Sequence, residues 1–74
     1  MKDINKEVGL NIRRIREQRG LSQEKLAALA GIHRVYMGQV ERGEKNIGVV
    51  NLEKIAKALE VDIRVLVDVD SVDG

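Results

Sequence analysis

Several residue types are missing from this chain, and each absence excludes a way of stabilising a small protein or of performing catalysis. The sequence contains no cysteine and only one histidine, which excludes disulfides, cysteine-ligated zinc and a cysteine nucleophile with a histidine base. No apolar run approaches the roughly 18 residues of a membrane helix, and the N-terminus has no hydrophobic signal segment. We therefore expect a cytoplasmic protein that is not an enzyme and that binds no metal, cofactor, small-molecule ligand or membrane.

Proline is also absent, and Tyr36 is the only aromatic residue. Nothing therefore interrupts a helix in the way that proline does. A chain of 74 residues is near the lower size limit for a fold held together by one hydrophobic core. We expect one domain over residues 1–74, with its core at about 4–67 and a flexible acidic tail at 68–74.

The spacing of apolar residues predicts an all-α protein, a bundle of five helices. Val8, Ile12 and Ile15 recur at intervals of four and three, which marks one face of a first helix from about residue 4 to residue 19. A fourth helix is predicted from about residue 49 to residue 59. Its expected buried positions are Val49, Leu52, Ile55, Ala56 and Leu59.

The starts of helices two to five share a local pattern. Each has an apolar residue, a capping position and a second apolar residue five places after the first, which is the spacing of a hydrophobic staple. The predicted N-caps are Ser22, His33, Gly48 and Asp62. Residues 63–69 place β-branched side chains at period two, so a strand competes with a fifth helix there. The cap and the staple favour the helix.

Helices two and three, within residues 22–43, form a predicted helix-turn-helix whose turn is at Gly31. Glycine can adopt the positive φ that closes a helix. Ala27 lies where the two helices should cross most closely, and its small side chain permits that approach. The predicted inner faces contain Leu26, Ala27 and Ala30 in the first of these helices and Met37 and Val40 in the second.

The outer face of helix three has the side chains of a surface that reads DNA. At about 100° per residue, Val35, Gln39 and Arg42 point away from the core, and the first turn of a recognition helix is the part that touches base edges. Arginine can fork to guanine, glutamine can pair with adenine, and valine or tyrosine can pack on a thymine methyl group. The predicted base-contacting residues are Arg34, Val35, Tyr36 and Gln39.

Phosphate contacts are expected from the rim of this surface. The distribution of charge supports such contacts, because residues 1–45 contain ten Lys or Arg and six Asp or Glu, whereas residues 46–74 contain three and six. A basic surface attracts a polyanion. The predicted residues are Gln23, Lys45, Asn46 and Asn51.

Helical periodicity also predicts an ion pair inside the fold. Arg16 lies about 40° from Ile12 on helix one, and Glu41 lies about 40° from Met37 on helix three. Both residues therefore lie at the edges of apolar faces that must pack together. We expect Arg16 and Glu41 to pair in a partly buried position, where loss of one partner would strand the other charge.

The run SQEKLAALAGIHRVYMGQVERGEKNIGVVNLEKIAKAL resembles the helix-turn-helix domain of the phage-repressor, or xenobiotic-response-element, superfamily. The similarity covers about residues 9–67. Within the superfamily, the run HRVYMGQVERGEKNI is most similar to the controller proteins of restriction-modification systems. The residues that carry the resemblance are Gln23, Ala27, Gly31, Ile32, Val40, Glu41 and Gly43.

This resemblance implies a lambda-repressor-like fold and a sequence-specific transcriptional regulator that binds double-stranded DNA. It further implies a homodimer on a palindromic operator, with dimer contacts in residues 60–69. It assigns base contacts to the same four residues of helix three, adds Arg42 to the backbone contacts and supports the internal ion pair. Two residues depart from the family pattern, namely His33 at a cap position and Glu60 in place of the usual glycine after helix four.

The main alternative is a protein-interaction role on the same fold, for example as the antitoxin of a toxin-antitoxin pair. Antitoxins usually need an extra segment to cover the toxin, and only residues 68–74 follow the predicted bundle. The populated base-facing positions of helix three argue against a domain that serves only for assembly.

Overall fold

The computed structural model describes residues 3–68, and this range contains five α-helices. No strand occurs in this range, so the prediction of an all-α, five-helix fold is confirmed. The predicted tail lies outside the described residues except for Asp68. The helices are α1 (Ile4–Gln18), α2 (Gln23–Ala30), α3 (Arg34–Glu41), α4 (Val49–Leu59) and α5 (Ile63–Leu66).

Each helix begins at an N-cap residue in extended conformation. Ser22 Oγ accepts a hydrogen bond from a backbone N–H in the first turn of α2 (3.0 Å), and His33 Nδ1 accepts one from the N–H of Val35 (3.1 Å). Such bonds satisfy donors that the helix itself leaves unpaired. Gly48 caps α4 without a side-chain bond. All four predicted caps are confirmed, and Asp3 caps α1.

The segment in which a strand competed with a helix begins with α5. Asp62 Oδ1 accepts a hydrogen bond from Arg64 N (2.8 Å) and caps this helix. Leu66 is fully buried, whereas Val65 and Val67 of the period-two pattern are each 42% exposed. Burial of the staple residue, rather than of alternate valines, therefore stabilises the helix. The last residue of the segment lies outside the described range.

Helices α2 and α4 end in the same way. Gly31 (φ 69°, ψ 36°) and Glu60 (φ 60°, ψ 43°) both adopt the left-handed conformation. In each turn the N–H of the following residue donates to a carbonyl five residues earlier, as in a Schellman motif. The turn at Gly31 is confirmed. Glu60 adopts the conformation of the glycine that it replaces, at a cost of about 1–2 kcal/mol.

One face of each helix contributes to the core. The predicted inward positions are buried with one exception, because Val49 is 76% exposed. Val49 is the first residue of α4, and Ile47, which precedes the cap, packs against the core instead. The buried apolar residues are Val8, Ile12 and Ile15 from α1, Leu26, Ala27 and Ala30 from α2, Met37 and Val40 from α3, Leu52, Ile55, Ala56 and Leu59 from α4, and Leu66 from α5.

Two further residues of α1, which the apolar periodicity does not select, hold this helix against its neighbours. A Cβ on Gly9 would lie 2.6 Å from Glu41 O, so only glycine allows α1 to come this close to the end of α3. The buried side chain of Asn11 donates to the carbonyl oxygens of Leu66 (3.0 Å) and Asp68 (2.9 Å). Asn11 therefore fixes the chain at the end of α5.

Candidate nucleic-acid interface

The candidate surface is centred on the outer face of α3. Arg34, Val35 and Arg42 are exposed there, and Tyr36 and Gln39 are half-buried. The ring of Tyr36 packs against the core, which fixes its position. Val35 and Arg42 therefore point outward as predicted, and Gln39 does so only in part. All four predicted base-contacting residues lie on one eight-residue helix.

A buried ion pair anchors α3 to α1. Arg16 Nε donates to Glu41 Oε2 (2.7 Å) and Arg16 Nη2 donates to Glu41 Oε1 (3.0 Å). The two side chains are 11% and 2% exposed, so the predicted pair is confirmed in its strong, bidentate form. A third bond, from Arg16 Nη1 to Leu21 O (2.8 Å), ties in the loop before α2. The hydrogen bond with Glu41 raises the pKa of Arg16 against the opposing effect of burial.

Gln23 extends this network to the surface. Its Nε2 donates to Glu41 Oε1 (2.9 Å), which uses one of the two N–H groups of the amide and leaves the other for a second partner. A Cβ on Gly38 would lie 3.5 Å from Gln23 Oε1 and 3.1 Å from Arg42 Nη1, so the missing side chain makes room for both. These residues border an open groove of about 470 Å³ between α2 and α3.

Each arginine on this surface is paired with a carboxylate, and neither pair was predicted from the sequence. Arg34 Nη1 donates to Glu24 Oε2 (3.1 Å) at the start of α2. Arg42 Nε and Nη2 donate to Glu44 Oε2 (2.8 Å) and Oε1 (3.2 Å). The bonds with Glu44 raise the pKa of Arg42, and the same bonds lower the pKa of Glu44. Arg42 and Glu44 are close in sequence, which could have indicated their pairing. No sequence signal indicates the pairing of Arg34 with Glu24.

The other predicted contacts lie around α3. Asn51, in the first turn of α4, donates to Tyr36 Oη through a long hydrogen bond (3.5 Å). Asn46 Oδ1 accepts a bond from Asn5 Nδ2 (2.6 Å), which ties the loop after α3 to α1 and leaves the amide nitrogen of Asn46 for another partner. Lys45 is exposed beside it. Asn51 therefore contacts α3, whereas Lys45 and Asn46 lie on the neighbouring loop.

The surface offers N–H donors, two guanidinium groups and apolar edges, which are the groups that bind phosphates and base edges. Within residues 3–68, no three His, Cys, Asp or Glu side chains come close enough together to hold a metal ion. None of the helices in that range is long and apolar enough to cross a membrane.

Two short helices that cross at a left-handed glycine turn, with the second helix exposed on its outer face, define a helix-turn-helix protein. The profile of the helix-turn-helix family matches residues 12–66. The chain belongs to the helix-turn-helix family of DNA-binding transcription regulators.

Similar proteins include controllers of restriction-modification systems, as the sequence resemblance indicated. Control protein C.SmaI of Serratia marcescens is 43% identical over 61 residues, which cover 82% of this chain and 73% of that protein. The crystal structure of the restriction-modification controller protein C.AhdI from Aeromonas hydrophila has a TM-score of 0.83 and 45% identity, over 84% of this chain and 94% of that one. The master regulator for biofilm formation SinR, in complex with DNA, has a TM-score of 0.79 and 32% identity, over 82% and 98%.

Proposed function

We propose that this chain is a controller protein of a restriction-modification system, a sequence-specific regulator that acts as a homodimer on a roughly palindromic operator. Two properties of α3, the exposure of its outer face and the anchoring of its inner side, support the proposal. Its outer face is exposed, while the buried pair of Arg16 and Glu41 anchors its inner side. A fixed helix whose first turn exposes Arg34 and Val35 suits insertion into the major groove. Such a regulator acts in the bacterial cytoplasm, where the DNA is, and performs no catalysis.

Base readout is the role of four residues on α3. Arg34 forks to O6 and N7 of a guanine, and Gln39 pairs with N6 and N7 of an adenine. Val35 and the edge of Tyr36 pack on thymine methyl groups. A good bidentate contact discriminates against a wrong base by about 1–3 kcal/mol, so Arg34 should dominate the sequence preference.

Phosphate binding is the role of residues around α3. α4 has no side-chain cap, so its first backbone N–H groups are available to a phosphate, and the helix dipole favours an anion there. Gln23 has a second N–H to offer while the first holds Glu41. These contacts set the position of α3 on the duplex without reading sequence. The residues are Gln23, Arg42, Lys45, Asn46 and Asn51.

The second copy of the chain packs against residues 60–69. Val65 and Val67 in this segment are partly exposed, and Asn11 holds the end of α5 in place through its bonds to two backbone carbonyls. Contact with a symmetric copy would remove these valines from water. A two-fold dimer on one face of the duplex places its two recognition helices about 34 Å apart, one turn of B-DNA.

Selection of bound sequences from a pool of random duplexes, at near-physiological salt, tests the proposal. We expect the wild type to enrich a two-fold-symmetric site. Arg34→Ala should lose the preference at one base pair of each half-site, whereas Lys45→Ala should weaken binding to all sequences alike. Affinity should fall steeply with salt as counterions are released. If the folded wild type enriches no sequence, the proposal is wrong and a protein-interaction role is favoured.

A further inference from the structure

The two arginines on the DNA-facing surface differ in which part of the guanidinium group their carboxylate occupies. Glu44 accepts hydrogen bonds from Nε and Nη2 of Arg42, which are the two parallel N–H donors along one side of the guanidinium group. Glu24 bonds to Nη1 of Arg34. The side fork of Arg34, made of Nε and Nη2, therefore remains open while Glu24 is bound. Arg42, in contrast, must release Glu44 before it can offer the same fork.

Glu24 approaches Arg34 from a different helix. It lies in the first turn of α2, whereas Arg34 is the first residue of α3, so the pair spans the helix-turn-helix. The positive end of the α2 dipole favours a carboxylate at this position. The two side chains are 67% and 72% exposed for Arg34 and Glu24, which leaves both accessible to a duplex.

We propose that Glu24 is a positioning residue that sets the base preference of Arg34, an inference that rests on the function proposed above. Guanine is recognised by two parallel N–H donors, which the open fork of Arg34 supplies while Nη1 stays on Glu24. The contact restricts the rotamers of a long side chain before DNA arrives, so less conformational entropy is lost on binding. The negative charge of Glu24 also repels phosphates and directs the guanidinium group to a base edge.

The substitution Glu24→Gln separates two effects of the carboxylate, because it keeps the size of the side chain and removes the charge. Loss of repulsion should tighten binding to every duplex by the same factor. A neutral amide oxygen should hold Arg34 less strongly than the carboxylate does. The guanidinium group can then reach phosphates, which lowers the preference for guanine over other bases. The loss of preference for guanine depends on Arg34, whereas the general increase in affinity does not.

A double-mutant cycle tests the inference. Dissociation constants are measured for the selected operator, for the same operator with the guanine read by Arg34 replaced in both half-sites, and for a random duplex of equal length. We expect Glu24→Gln to lower the preference for guanine about 3- to 5-fold for each half-site, the scale of one exposed ion pair. In an Arg34→Ala background, Glu24→Gln should change this preference no further.

The matched control is Glu44→Gln, which frees an arginine proposed to contact phosphate. This variant should change binding to the three duplexes by one common factor. The inference is wrong if Glu24→Gln also changes all three alike, because Glu24 would then act through its charge alone. It is equally wrong if the loss of preference persists in the Arg34→Ala background, because Glu24 would then read a base itself. If the wild type shows no base preference that is lost in Arg34→Ala, the proposed function itself is wrong.

Discussion

Two pairs of arginine and glutamate in this chain differ in geometry and in surroundings. Arg16 and Glu41 are joined by two hydrogen bonds (2.7 and 3.0 Å), and Arg34 and Glu24 by one (3.1 Å). The side chains of Arg16 and Glu41 are 11% and 2% exposed, and those of Arg34 and Glu24 are 67% and 72% exposed. Loss of one partner in the buried pair leaves a charge without water, which is costly, whereas the exposed pair is worth at most about 1 kcal/mol. The same two residue types therefore form a fixed contact inside the domain, between Arg16 and Glu41, and an easily broken contact on its surface, between Arg34 and Glu24.

The largest expected effect comes from breaking the buried pair. Arg16→Met keeps an aliphatic side chain and leaves the Glu41 carboxylate buried without its partner, so we expect the free energy of unfolding to fall by about 3–5 kcal/mol. Urea denaturation measures the change. The matched control is Arg34→Met, which breaks the exposed pair and should cost less than about 1 kcal/mol. Equal losses from the two variants would mean that burial does not distinguish the pairs.

A smaller effect is expected from moving the buried pair apart without changing either partner. In Gly9→Ala the added Cβ meets Glu41 O at 2.6 Å, so α1 and α3 must separate and the bond from Arg16 to Glu41 must lengthen. Overpacking of this kind costs about 1–3 kcal/mol, again measured by urea denaturation. Leu10→Ala serves as the control, because Leu10 is an exposed neighbour on the same helix. Unchanged stability in Gly9→Ala would contradict the close approach of the two helices.

The smallest effect concerns the exposed pair at the start of α5. The side-chain hydrogen bond from Arg64 lowers the pKa of Asp62 below its ordinary value of 3.8. A lowered carboxyl pKa means that the contribution of Asp62 is present above pH 3.8 and is lost as the pH falls through the pKa of the folded state. We therefore expect α5 to loosen in acid and the proposed dimer to weaken, as measured by sedimentation against pH.

Asp62→Asn is the control for this pH dependence, since it removes the titrating group. The same acid-induced change in the variant would show that Asp62 is not responsible. The buried pair behaves differently, because the pKa of Arg16 is raised. The stability that follows from the raised pKa of Arg16 is present below the ordinary arginine value and is lost only as the pH rises through the folded-state value. Arg16 should therefore cause no change in stability near neutral pH.

Most of the features that the sequence predicted depend on residues near one another in the chain. Caps such as Ser22 and His33 act within one turn, and apolar side chains recur with the period of the helix that buries them. The error at Val49 has the same origin, because periodicity alone does not show that Ile47 fills the inward position ahead of the cap. The pair of Arg16 and Glu41 was predictable because both residues flank faces that must meet.

Other contacts between helices could not be predicted from the sequence, because nothing in the apolar periodicity marks them. Gly9 resembles any weak helix former until α3 is placed against it, and Asn11 resembles any surface amide until the end of α5 is placed beside it. Glu24 and Arg34 are ten residues apart, and only the turn at Gly31 brings their side chains together. The assignments of base and phosphate contacts remain predictions that rest on the exposed face of α3.

A crystal structure of the chain bound to its selected operator would show most directly whether α3 reads a duplex while its inner side stays fixed. We expect Arg34 within hydrogen-bond distance of guanine O6 and N7 in the major groove. We also expect Glu24 to remain hydrogen-bonded to Nη1 of Arg34, and Glu41 to remain bonded to Arg16 and Gln23. A complex in which α3 lies outside the major groove would show that α3 is not a recognition helix.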